Sequence, residues 1–325
     1  MASHTEVFLF FLLMTAFTIV NNVESHKRKI RTNRPIIGIL TQTTYLTPIK
    51  YLGHTFIYAS YVKFLESAGA RVVPIFHNRT RNQTHNLCKS INGALLPGEV
   101  SNLTESLYAL VARDIFDFAV ETYDNGGYFP IMGIGLGHQM FATMFDIVNK
   151  DLRLPTNGPN ITEPLNIPRH YRQTKMFSKL PKKLAKDSKK IILSGHFREY
   201  SLPVELFQNT ANFSTFFRIV TSNVNMYGEE FISTMEAKVY PFYSMQWHPE
   251  KFQFEWNSDE YVPHSSAAIQ LSQYISNFFV NEAKYSKHKF PSMEEENDAL
   301  IYNYSPTFML PLNESSSAVQ IYFLN

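Results

Sequence analysis

Two short stretches carry residue types that can do chemistry. "SMQWHPEKF" places His248 and Glu250 two positions apart just after a strand-like run. An exposed imidazole there can act as a general base, with the carboxylate orienting it, although a lone His-Pro-Glu also fits an ordinary surface histidine. "GIGLGHQ", Gly133 to Gln139, lies between an apolar run and a helical one. That is the punctuation of a sharp strand-to-helix turn, whose middle residue is strained and presented to a site. The middle residue is Gly135, which has no side chain to present. A third turn, "LLPGEV", ends a strand at Pro97-Gly98, where backbone N–H groups can face a developing oxyanion or simply close a tight turn. The G-x-G-x-G spacing does not suit a dinucleotide loop, because no acidic residue follows where a ribose would be read.

Such turns need a scaffold that brings them to one rim. "PIIGIL" from Pro35 to Leu40 has the pattern of a buried parallel strand, "YASYVKFLESAGA" of an amphipathic helix stopped at Gly69, and "RVVPIF" of the next strand. The alternation continues with "LCKSINGALLPG" as strand into turn, "LYALVARDIFDFAVETYDNG" as helix and "YFPIMGIG" as strand into turn. This predicts an α/β fold with a mostly parallel central sheet flanked by helices on both faces. Functional groups in such sheets gather at the C-terminal ends of the strands, where all three turns fall. Residues 155–188, rich in Asn, Pro and Lys, predict an irregular excursion in which "KLPKKLAKDSKK" is a solvated helix face. "EEFISTMEAKVYPFYSMQW" predicts a hairpin feeding the rim, and "AAIQLSQYISNFFVNEAKY" a late helix covering the sheet.

At 325 residues and 44% hydrophobic, the chain can bury one large core or two small ones. A net charge of +2, spread over isolated side chains, points to neither a nucleic acid nor a strongly acidic partner. With no internal repeat and no Cys/His cluster at metal-ligand spacing, no metal or cofactor is expected. The apolar run Val7 to Val20 is short for a membrane span and is followed by polar residues. It is expected to be a signal peptide, residues 1–25, leaving 26–325 as a single domain with no membrane segment; an uncleaved anchor is the alternative. N-x-Ser/Thr triplets at Asn78, Asn82, Asn102, Asn160, Asn212, Asn303 and Asn313 agree with a glycosylated secretory product, the one at Asn303 weakened by Pro306. Cys88 is the sole cysteine, so no intrachain disulfide can form.

Taken together, "PIIGILTQ", "YASYVKFLESAGARVVPI", "KSINGALLPG", "DNGGYFPIMGIGLG", "EFISTMEAKVYPFYSMQWHPEKFQFEW" and "FFVNEAKYSKHKF" closely resemble the folate γ-glutamyl hydrolases, within the class I glutamine amidotransferase-like cysteine hydrolases. The resemblance runs from about Pro35 to about Ser305. It implies a secreted, extracellular or lysosomal (vacuolar) hydrolase, often a homodimer, that cleaves γ-linked glutamates from folate polyglutamates through Cys, His and Glu. The His and Glu fall on His248 and Glu250. The Cys of the family's Gly-Thr-Cys-Leu-Gly elbow falls on Gly135, with Ile134 in place of the Thr and Leu136 matching. By this resemblance the family's Pro-Gly-Gly oxyanion turn becomes Pro97-Gly98-Glu99, and Leu136 belongs to the same oxyanion set. By the same resemblance Arg198, where the family carries a His, and Tyr61 are the expected substrate contacts; a slip of one or two residues would put His196 in the place of Arg198. These departures imply a family member impaired in catalysis that retains folate polyglutamate or partner binding. The alternatives are an active hydrolase that uses His248 with water or another nucleophile, and a secreted protein acting through its surface alone.

Overall fold

Strand β1 (Ile36–Leu40) is apolar and buried throughout, as a strand covered on both faces must be. It is joined in one seven-stranded sheet by β2 (Arg71–Ile75), β3 (Gly93–Leu96), β4 (Ile131–Ile134), β5 (Phe217–Val224), β6 (Glu230–Ala237) and β7 (Phe242–Met245). The order is β5-β6-β7-β4-β3-β1-β2. All pairings from β7 to β2 are parallel, and β5 and β6 extend the sheet as an antiparallel arm. The structure is a computed structural model that describes residues 28–44, 50–98, 101–145, 154–155, 161–190, 192–196, 200–225, 227–256, 261–309 and 318–324. Within it Arg31–Asn325 cluster as one unit.

Alternation along the strands divides the core in two. In β7, Tyr243 meets Phe278 at 4.8 Å between ring centroids on one face, while Phe242 meets Phe116 at 5.1 Å on the other. Helices α1 (Ala59–Glu66) and α6 (Ser266–Ala283) cover the first face, and α2 (Arg81–Cys88), α3 (Leu107–Asp124) and α4 (Leu136–Thr143) belong to the second. Helix starts are specified locally. The side chains of Ser106 and Ser265 accept from the N–H groups of Ala109 and Ala268, and Thr80 with Gln83 forms a reciprocal capping box. That box corrects one expectation: it nucleates α2, so Leu87 and Cys88 end a helix and the strand begins only at Gly93.

The expected hairpin is present as β6 and β7, paired antiparallel. The 155–188 excursion contains the strand Ile161–Pro164, paired with Ile192–His196, and the short helix Lys182–Asp187 with Lys182, Lys183 and Lys186 exposed. A small four-stranded sheet, unanticipated from sequence, joins Gln42–Thr43, Thr55–Tyr58, Pro306–Phe308 and Gln320–Phe323.

Candidate active site

The elbow is set by its glycines. Gly135 has φ +57° and ψ −111°, and its N–H donates to the Met245 carbonyl at 2.9 Å, tying the end of β4 to the end of β7. An L side chain held on the left-handed side costs about 1–2 kcal/mol, which glycine avoids. At Gly137 the start of α4 lies so close to β3 that a Cβ would strike the carbonyl oxygen of Leu96, with its carbon only 2.7 Å away. This close approach seats the elbow against the Pro97-Gly98 turn. A Cβ built on Gly135 would lie 2.8 Å from Nε2 and 2.9 Å from Cε1 of His248, and 3.2 Å from Cα of Gly98. All three turns singled out in the sequence therefore meet at one point.

His248 leaves the end of β7, and Glu250 opens the one-turn helix α5 (Lys251–Phe254). Both are buried rather than exposed: His248 is 2% accessible and Glu250 0%. Buried beneath the rim, the ring is held in one orientation by a 2.7 Å contact between its Nδ1 and Oε1 of Glu250. The carboxylate can only accept, so Nδ1 carries the proton and the basic Nε2 faces Gly135. That geometry lets His248 act as a general base oriented by an acid, with Nε2 directed at the Gly135 turn. Cys88 is no substitute. It ends α2, ahead of the first residue of β3 rather than at the strand's C-terminal end, and complete burial pushes its thiol far above the ordinary range, disfavouring the thiolate.

The Pro97-Gly98 turn is reached as expected, but its amide is engaged. Gly98 N–H donates to the Tyr61 hydroxyl at 2.9 Å, and the Tyr108 hydroxyl donates to the Pro97 carbonyl at 2.7 Å. Tyr61 thus braces the Pro97-Gly98 turn, and it is itself buried. Leu136 sits at the first position of α4, where a backbone N–H has no acceptor within its helix. Glu99 and Arg198 lie outside the described residues. So do Asn160, Asn313 and residues 1–25.

Sequence reasoning missed two features around the site. His138, three residues after Gly135, looks chemically competent, yet it is fully buried. Its Nε2 donates to the Ile232 carbonyl at 3.2 Å, so its Nδ1 accepts from the Ser244 hydroxyl at 2.9 Å. It fastens α4 to β6 and β7. Behind His248, the buried Glu255 accepts from the Val319 N–H at 2.6 Å. Burial pushes the Glu255 carboxyl up to about 7, opposed by bonds from Ser60 and Val319 and by the charge of Lys251, while Glu250 adds to the rise. The only sequence cue to either was spacing: His138 one helical turn after Gly135, and Glu255 five residues after Glu250.

The family model described as Peptidase C26 matches residues 35–250. The chain is similar to the gamma-glutamyl hydrolase of Rattus norvegicus, with 42% identity over 293 residues that cover 90% of each protein. It is 39% identical to that of Homo sapiens over 276 residues, 85% of this chain and 86% of the human one. Among solved structures, the glutaminase domain of Trypanosoma brucei CTPS with bound acivicin aligns at TM-score 0.49 and 11% identity, covering 79% of this chain and 98% of that domain.

Proposed function

The chain belongs to the gamma-glutamyl hydrolase family, peptidase C26, and from that premise we propose that it is a secretory-pathway member impaired in hydrolysis that retains binding of folate polyglutamates. The observation that carries this is Gly135. By resemblance the family's nucleophilic Cys falls there, and the His248 ring reaches to within 2.8 Å of the position a Cβ would take. Removing the covalent nucleophile of such a machine costs on the order of 10⁶-fold in turnover, leaving only what binding and dipoles supply. The N-terminal apolar run and the Asn-x-Ser/Thr triplets support passage through the secretory pathway, to the lysosome or out of the cell. A second reading rests on the intact 2.7 Å pair of His248 and Glu250: direct activation of water by Nε2, giving slow hydrolysis.

Hydrolysis of pteroylpentaglutamate by the purified natural protein, beside its His248→Ala variant, separates the two. Impairment gives no difference between them above background. Turnover above background that disappears in His248→Ala, even if slow, overturns it in favour of water activation.

A further inference from the structure

Only two tryptophans are present, and they differ sharply. Trp247 is fully buried and its indole donates to the Thr234 hydroxyl at 2.9 Å, whereas Trp256 is 61% exposed. One face of Trp256 is backed by His264, with ring centroids 3.9 Å apart and planes within 4°. His264 is itself anchored, since its Nδ1 donates to the Phe252 carbonyl at 3.0 Å. The Phe252 ring in turn stacks on Trp247, at 6.1 Å and 16°, the residue preceding His248. The Trp256 indole is thus an outward-facing plate braced through α5 to the turn that carries His248 and Glu250. From the other side, Glu255 is fixed by the Val319 N–H. Among the described residues of 255–264, the large exposed apolar groups are two rings, Trp256 and Tyr261 at 65%. A flat, rigidly backed indole face offers a planar conjugated ligand a stacking surface.

We propose that the indole of Trp256, backed by His264, is a stacking platform for the planar pteroyl end of the ligand, set apart from the subsite beside Gly135 that takes the γ-glutamyl chain. This inference rests on the folate polyglutamate reading above and names the residue that recognises the ring system. A rigid, pre-stacked plate orders little on binding, so the contact contributes affinity at low entropic cost.

The test is calorimetric titration of the natural protein, Trp256→Ala and Trp256→Phe with two probes: pteroylpentaglutamate, and γ-linked pentaglutamate lacking the ring. Loss of one aromatic stacking partner for a planar base lowers affinity about 5- to 100-fold. Trp256→Ala is expected to weaken pteroylpentaglutamate within that range and leave γ-pentaglutamate unchanged, with Trp256→Phe restoring most of the affinity. Equal affinity of the natural protein and Trp256→Ala for pteroylpentaglutamate overturns the platform while leaving folate binding intact. Equal weakening of both probes also overturns it, because the role is then structural. If neither probe binds the natural protein, the folate reading fails and the platform falls with it.

Discussion

Adding one carbon at Gly135 should cost stability through two separable effects. A Cβ at φ +57° carries backbone strain of about 1–2 kcal/mol. It would also lie 2.8 Å and 2.9 Å from two ring atoms of His248, closer than carbon tolerates, so the imidazole must turn away. Turning it stretches the 2.7 Å bond to Glu250, a hydrogen bond to a buried carboxylate worth about 1.5–3 kcal/mol. Gly135→Ala should therefore lose about 2.5–5 kcal/mol in urea unfolding, as a lower midpoint with an unchanged slope. In a His248→Ala background the ring is absent, and the same substitution should cost only the backbone part, about 1–2 kcal/mol. A neutral Gly135→Ala, or an equal cost in both backgrounds, refutes the described approach of His248 to the elbow.

Other outcomes follow from the same structure. Burial raises the Glu255 carboxyl to about 7 from an ordinary value of 4.5, so the folded state holds its proton longer than the unfolded one. Its contribution to stability is full below about 4.5 and is lost as pH rises through about 7, at up to about 1.4 kcal/mol per pH unit. Thermal unfolding between pH 4 and 8 should show that decline, and Glu255→Gln should flatten it. The Asn303 amide donates to the carbonyls of Asn297, Asp298 and Leu300 at 2.8, 2.9 and 3.0 Å, closing a helix end. Glycopeptide mass spectrometry should find Asn303 unmodified and sugar on the exposed Asn78, Asn82, Asn102 and Asn212.

Much of the fold was legible because its signals are local. Short apolar runs, capping serines and glycine-marked turns specify β1 to β4, α1, α3 and α6 without reference to distant residues. The hairpin of β6 and β7 was equally plain, since both strands and their turn lie within one stretch of sequence. What was not legible depends on contacts between distant residues. The small sheet unites Gln42–Thr43 with Gln320–Phe323, nearly the whole chain apart, and no pattern in either segment names the other. Convergence of Gly135, His248 and Gly98 could be expected from their places at strand ends. The burial of His248 could not, nor could the engagement of the Gly98 amide by Tyr61, because both are set by packing across the rim. His138 shows the same limit from the other side: a histidine in the elbow looks catalytic until its partners, Ser244 and Ile232, appear on neighbouring strands.

The most direct measurement is hydrolysis of pteroylpentaglutamate by the natural protein beside Gly135→Cys, under reducing conditions at mildly acid pH. If His248 and Glu250 are poised for a missing nucleophile, the natural protein is silent and the thiol brings turnover, limited by the ring displacement that admits Cβ and lengthens its bond to Glu250. Turnover by the natural protein equal to or greater than that of Gly135→Cys would contradict this and place the nucleophile elsewhere on the rim.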